Sequence, residues 1–232
     1  DEYEWFDAKD PCKGGGQSGD PVDTYSGAFV HSVTDLVIPG RGLDVAITRT
    51  YRNTGQANGA FGYNWSFNYH LQAKKLSSGH YLVLGDEGHE FVYHANGQNS
   101  LGEDQFCGCE YYSSLVEHAD GTLTLFKKDG TRFTFNQNGA VSAISDRFGN
   151  TLRFEYAQDG GVDVKRPIQG RTKYFLTQPS GIVARDYQLV TIIDTYGRPI
   201  LFLYTGDHLT TVRDFTGREV VFGFDAAGDL IT

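Results

Sequence analysis

The sequence predicts an all-β protein: a twisted antiparallel sheet built from repeated hairpins, with little or no helix. Three observations carry this. Apolar residues alternate with period 2 along most of the chain. No window of about 11 residues or more holds a 3.6 period. Glycine-led turns separate the alternating runs at intervals of about 8–12 residues. The alternation begins at Leu43-x-Val45-x-Ile47-x-Arg49-x-Tyr51 and continues in Trp65-x-Phe67-x-Tyr69-x-Leu71. It recurs at Leu123/Leu125, Phe133/Phe135, Leu152/Phe154/Tyr156, Ile200/Phe202/Tyr204 and Val220/Phe222/Phe224. Aromatic and β-branched side chains at alternate positions suit a sheet with one buried face. The turns are Ser78-Gly79, Asp86-Glu87-Gly88, Asn96-Gly97, Asp120-Gly121, Asp129-Gly130 and Asn138-Gly139. A strand, a short Gly turn and a second strand make a hairpin.

The second half repeats itself. Ile192-x-Asp194-x-x-Gly197-Arg198-x-Ile200-x-Phe202-x-Tyr204 aligns, 20 residues on, with Val212-x-Asp214-x-x-Gly217-Arg218-x-Val220-x-Phe222-x-Phe224. An upstream copy reads Ile144-x-Asp146-x-x-Gly149-Asn150-x-Leu152-x-Phe154-x-Tyr156. In each, Asp opens a type I turn, Gly follows three residues later, and three alternating apolar residues enter one face. A lone D-x-x-G carries no weight; copies in phase with the same downstream alternation do. The chain therefore divides into an acidic, aromatic stretch with a Gly linker (1–18), a hairpin module (19–138) and a repeat region (139–232). The repeat region carries an insertion at about 157–188, read as an extended hairpin and loop. The first stretch, with Trp5 and Phe6, reads either as a tail or as a strand that docks by those rings. Met is absent, even at position 1, so the sequence reads as a processed or excised piece of something longer, with the repeat array cut at its C-terminal end. The last strand, near Glu219–Phe224, is expected to be long and unpaired on one side, hence prone to pairing with another chain.

Composition narrows the function classes. The net charge is −9 and no cluster of Lys and Arg stands out, which argues against nucleic-acid binding. No apolar run reaches the ~20 residues of a membrane helix. The cysteines are Cys12, Cys107 and Cys109. An odd number rules out a complete disulfide framework within the chain. Cys107-Gly-Cys109 has one intervening residue where paired zinc ligands usually have two to four. Free thiols, with one disulfide from Cys12 as the alternative, fit better than a metal, and no cofactor is expected. No G-x-S-x-G nucleophile elbow is present. Cys107 with His118 as a nucleophilic pair has nothing to support it over a surface thiol, and turn formation accounts for most of the acidic residues. Arg49 is the odd residue, in register with an apolar face. Buried there, it needs a carboxylate or carbonyl, with Asp20, Asp23 and Asp35 the candidates. Pro39-Gly40-Arg41-Gly42 reads as a tight turn, and Trp65, Phe67 and Tyr69 as core.

The repeats resemble the tyrosine–aspartate (YD) repeats of the RHS (rearrangement hot spot) proteins, which include bacterial polymorphic toxins, insecticidal toxin-complex C proteins and teneurins. The opening third is similar to the module that begins the RHS core in bacterial members. The residues that carry this are Gly19-Asp20-Pro21-Val22-Asp23 with Gly27 and Phe29, then Asp35-Leu36-x-Ile38-Pro39-Gly40-Arg41-Gly42-Leu43, Thr48-Arg49-x-Tyr51 and Phe61-Gly62-x-x-Trp65. Phe224 stands where the repeat usually has Tyr, and residues 72–138 match only as generic hairpins. The resemblance implies a β-sheet that spirals into a hollow shell around a toxic C-terminal domain, with the opening module closing one end. It implies no catalysis here, partners in the rest of the shell and the enclosed toxin, and secretion or delivery by a secretion system. On that reading Asp20, Pro21, Asp35, Pro39, Gly40, Arg49, Tyr51 and Trp65 are structural, as are Asp146, Gly149, Asp194, Gly197, Arg198, Tyr204, Asp214, Gly217 and Arg218. Arg49 could also contact the cargo. The alternative is a cell-surface β module that binds glycans or an envelope partner through an exposed aromatic row.

Overall fold

A computed structural model describes residues 17–18, 22–23, 27–53, 58–85, 90–108, 113–157 and 188–231. Among them every regular element is a strand and every pairing is antiparallel. In chain order the strands are β1 (Gln17–Ser18), β2 (Val22–Asp23), β3 (Val30–Ile38), β4 (Val45–Arg52), β5 (Asn58–Gly59), β6 (Gly62–Tyr63) and β7 (Trp65–Phe67). They continue with β8 (Gln72–Lys75), β9 (Tyr81–Leu84), β10 (Glu90–Gln98), β11 (Asp104–Gly108), β12 (Ser114–Glu117), β13 (Leu123–Phe126) and β14 (Arg132–Phe135). The remainder are β15 (Val141–Ser145), β16 (Thr151–Tyr156), β17 (Leu189–Ile193), β18 (Pro199–Thr205), β19 (His208–Arg213) and β20 (Glu219–Val221).

Two sheets matter. The opening sheet has the order β3-β4-β7, and a thirteen-stranded meander runs from β20 back to β8 in strict sequence order, without closing into a barrel. The meander follows from the turn spacing, since each short Gly turn can only return the chain beside itself. Its curl has a local cause. Register shifts fall at Thr134/Phe135, Glu155/Tyr156 and Leu203/Tyr204. Each bulge bends its strand and increases the twist. Two of them fall on the third alternating residue of a repeat, Tyr156 and Tyr204, so the first two repeats each carry their own bend. At the other end the β8 edge is met by the start of β15: Ala73 N–H donates to Gly139 O at 2.8 Å and Val141 N–H to Leu71 O at 3.2 Å. The segment from β8 to β15 therefore curls back on itself. The insertion leaves after Ala157 and returns at Gln188, joined by Ala157 N–H to Gln188 O at 2.8 Å. The repeat ladder passes it as though it were a hairpin loop. The sheet itself runs unbroken through residues 138–139.

In the opening sheet a bulge between Thr34 and Leu36 decides which side chains face inward. Val33 pairs with Arg49, while Leu36 pairs with Ile47 and Ile38 with Val45. Asp35 is the extra residue, so Asp35, Leu36 and Ile38 all share the face of Val45, Ile47 and Arg49. An unbulged register would turn Leu36 and Ile38 to solvent, because side chains alternate with period 2. Leu36, Ile38, Val45 and Ile47 are buried, in one core cluster with the inner face of the meander.

The terminal strand differs from expectation. β20 holds three residues, not six. After it, Phe224 bridges Leu230, and Ile231 N–H donates to Gly223 O at 2.9 Å. A further turn, Asp225–Gly228, folds the chain back and shortens the unpaired edge. The alternation is as expected, but the strand ends at Val221, with one further bond from Phe222 N–H to Thr210 O at 2.9 Å.

Candidate functional site

The repeat turns share one construction. In each, one carboxylate oxygen holds the turn backbone and the other holds the side chain that follows the glycine. Asp146 Oδ1 accepts from Phe148 N–H (2.8 Å) and Asn150 N–H (2.9 Å), and Oδ2 from the Asn150 amide (2.6 Å). Asp194 accepts from Tyr196 and Arg198 N–H (2.9 and 2.8 Å) and from Arg198 Nε (2.6 Å). Asp214 accepts from Thr216 and Arg218 N–H (2.8 and 3.0 Å) and from Arg218 Nε (3.0 Å). Gly149, Gly197 and Gly217 close these turns at φ of +86°, +76° and +91°, a region costly for any residue with a Cβ. The Asp194 and Asp214 side chains are buried, at 0% and 2% exposure. Burying a carboxylate is costly unless its oxygens are hydrogen-bonded, and both oxygens of each are. Burial pushes the Asp214 carboxyl up, but the bonds from Thr216 and Arg218 outweigh it and the net direction is down. The Asn150 amide leads in holding Asp146 low.

These turns dock in order on the β3–β4 connection. A Cβ at Gly42 would collide with the Asp146 carboxylate and the Asn150 amide of the first copy. Arg41 N–H donates to Thr195 Oγ1 at 2.6 Å, and Arg198 Nη2 to Pro39 O at 2.6 Å, in the second. Arg218 Nη2 of the third reaches Val37 O at 3.4 Å. Gly40 N–H, at the centre of the connection, donates to Asp44 Oδ1 at 2.9 Å. Each arginine thus links its own turn to a carbonyl at the end of β3. Arg41 lies over Tyr196 (5.6 Å), and Arg198 over Tyr196 (4.9 Å) and Phe215 (4.3 Å).

The inner faces meet just as regularly. Tyr69 packs on Phe154 (5.3 Å), Phe67 on Phe202 (5.7 Å) and Phe61 edge-on to Phe222 (4.9 Å). Phe154, Phe202 and Phe222 are the same position in the three copies. The opening segment therefore supplies one aromatic ring per repeat, and aromatic pairs in such tilted and T-shaped geometries are favourable beyond their buried area. Burial raises the Tyr69 phenol to about 12, while its oxygen accepts from Ala46 N–H at 3.2 Å. Tyr204 is half-buried; burial, with Tyr156 adding, pushes its phenol well above the usual range.

Arg49 finds Asp35, through Nε to Oδ2 at 2.9 Å and Nη2 to Oδ1 at 3.2 Å, with 16% and 10% of the two side chains exposed. Its guanidinium lies over Trp65 (5.1 Å) and Phe222 (5.7 Å). Tyr51 sits edge-on to Trp65 at 5.4 Å. One arginine thus joins β3, β4, β7 and the third repeat. Asp20 and Pro21 lie outside the described residues, as do Cys12, Cys109, the stretch 1–16 and residues 158–187 of the insertion.

Sequence reasoning missed the docking of the turns on the β3–β4 connection. A signal was present: each copy puts a side chain that can donate hydrogen bonds (Asn150, Arg198 or Arg218) directly after the turn glycine. It also missed the true partners of His118. Nδ1 lies 2.7 Å from Glu103 Oε1, and Nε2 lies 2.8 Å from Thr124 Oγ1. The hydroxyl–imidazole–carboxylate order has the form of a catalytic triad. Thr124 is only 8% exposed, so the network ties β13 to two hairpin turns and presents no accessible nucleophile. No described helix is long and apolar enough to cross a membrane.

Residues 19–93 match the family model of a domain of unknown function, DUF6531. The match covers the opening sheet, the inward aromatics Phe61, Phe67 and Tyr69, and the first strands of the meander. No curated protein matches the chain.

Proposed function

We propose that this chain is a non-enzymatic structural segment of an RHS-type shell, in which the opening module seats the first repeats and closes one end of a chamber around a C-terminal toxin. The observation that carries the reading is the one-to-one seating of Tyr69, Phe67 and Phe61 on Phe154, Phe202 and Phe222. Repeat arrays expose an apolar face at their ends and need a cap. Here a non-repeat segment fills that face, and the turn arginines hold it from the rim. The DUF6531 match falls on the same opening segment. The chain's partners are then the rest of the shell and the enclosed domain, and its place is with a secreted or delivered effector.

The test uses the longer product that the resemblance implies. Protease is added to the native protein and to a denatured control, and the C-terminal region is followed by mass spectrometry. Protection in the native sample alone is expected. Equal digestion in both would remove the enclosing role. A second reading, a surface module for glycans or an envelope partner, draws on Phe148, Tyr196 and Phe215, which stand 75%, 55% and 43% exposed on successive turn tips. It would lead if digestion were equal and polysaccharide binding fell on substitution of those rings.

A further inference from the structure

Away from the docking seam, the register of the meander assembles a row that the sequence does not show. Tyr81 pairs with Tyr93, so His80 and His94 stand side by side at the next position, and their rings lie 4.6 Å apart. His94 pairs in turn with Cys107 on β11. Residues directly opposite on an antiparallel pair share a face. The buried Tyr81 and Tyr93 point to the core, so His80, His94 and Cys107 point outward. His94 and Cys107 are exposed, and Cys107 is a free thiol. Two imidazoles and a thiol thus line up across three adjacent strands, on a face whose backbone is fixed by ladder hydrogen bonds on both sides.

We propose that His80, His94 and Cys107 form a surface site for a borderline-soft divalent metal ion of the Zn2+ kind. Imidazole nitrogen and thiolate sulfur are the donor set such ions select, and three protein ligands leave one position of a tetrahedron for water. The side chains as they stand do not close on one point. Closure takes rotation of the exposed His94 and Cys107 side chains and of the half-buried His80 rather than movement of the sheet. Ala95 N–H donates to His80 Nδ1 at 3.4 Å, which puts the ring proton on Nε2 and leaves Nδ1 as the ligating nitrogen. Ligation through Nδ1 replaces this long contact. On binding, the Cys107 S–H bond breaks, its proton goes to solvent, and the sulfur–metal bond forms. The Cys107-Gly-Cys109 spacing is poor for a metal on its own; the cross-strand register supplies what the spacing lacks. The site is independent of the shell reading.

The test is made on the whole chain with Cys12→Ser and Cys109→Ser, so that Cys107 is the sole thiol. Co2+ is the probe, because a thiolate bound to it gives a near-ultraviolet charge-transfer band. The expected result is a band that Zn2+ abolishes, that Cys107→Ser removes, and that His80→Ala and His94→Ala each weaken strongly. Zn2+ should also slow alkylation of Cys107 by iodoacetamide in the parent and not in the double histidine variant. Far-ultraviolet circular dichroism checks that each variant keeps its sheet. No band, a band that survives loss of both histidines, or a band that appears only when Cys109 is restored would overturn the assignment.

Discussion

The hairpins from β9 to β14 and the repeats from β16 to β20 belong to one sheet, yet they cover their inner faces by different means. In the hairpins the cover is the curl of the sheet itself. Tyr81 sits edge-on to Phe106 at 4.9 Å, and the edge of β8 closes on Gly139 and Val141. In the repeats the cover comes from a different segment, through Tyr69, Phe67 and Phe61, with the β3–β4 connection bound along the rim. The difference teaches that an all-β meander has two routes to a dry face. A strongly curled stretch serves itself, while a regular repeat stays open enough to need a guest.

The sharpest way to break that comparison is to remove the guest. Phe67→Ala should destabilise the chain by about 3–5 kcal/mol, the usual cost of deleting a buried ring. Read by hydrogen exchange, protection should fall in β17–β20 more than in β12–β14. An equal fall in both would mean that the two halves are one cooperative unit. Phe202→Ala on top of Phe67→Ala should cost less than the sum of the two single changes, because the rings are partners.

Next in size is the Arg49–Asp35 pair. Arg49→Ala leaves Asp35 largely buried and unpaired, and should cost about 3 kcal/mol in a urea titration, toward the low end for buried pairs because both side chains keep some exposure. Replacing both, as Asp35→Leu with Arg49→Met, should recover most of that loss. Failure to recover would assign the pair a role beyond charge balance, in fixing the bulge.

Gly139→Ala probes the self-closing half. Its φ is +81°, and a Cβ there would run into Ala73 O. The backbone penalty alone is about 1–2 kcal/mol, and protection should fall at β8 and the start of β15 while β18–β20 hold. Arg198→Ala should cost about 1–2 kcal/mol, since it strands a buried carboxylate and a carbonyl bond together. Arg218→Ala should cost less than 1 kcal/mol, since Arg218 is half exposed and its carbonyl contact is long.

The smallest expected difference is in acid. Bonds from Thr122, Thr131 and Asn150 hold Asp120, Asp129 and Asp146 below the usual aspartate range, and those from Thr216 and Arg218 do so for Asp214 against its burial. A carboxyl held low in the folded state binds its proton more readily when unfolded. Its contribution is therefore complete above the ordinary aspartate value of about 4 and is lost as pH falls through the lower folded values. Asp129→Asn in the hairpins and Asp214→Asn in the repeats should each flatten the acid limb of a stability–pH curve to a similar degree. A flattening confined to one of them would extend the comparison to electrostatics.

The sequence by itself determined most of the strands and turns and the repeat phase. Asn96-Gly97, which reads as a turn, lies inside β10 at a register shift, and the turn falls at 99–103, because an Asn-Gly pair can make a bulge as well as a hairpin. Period 2 and positive-φ glycines are local properties, and Asp146, Asp194 and Asp214 fold their turns through atoms at most four residues away. It also showed that Arg49 needs a carboxylate or carbonyl partner, since an inward cation on an apolar strand cannot stay unbonded. Only the tertiary structure decided that the partner is Asp35, because the choice depends on a bulge that no local pattern marks. It alone decided that Pro39, Gly40 and Gly42 receive the repeat turns, and that Phe61, Phe67 and Tyr69 each meet one repeat. Contacts between residues 85 to 181 positions apart depend on how far each hairpin bends the sheet. That bend is a sum over many small twists and bulges, so it is a property of the assembled sheet and of no single stretch of sequence.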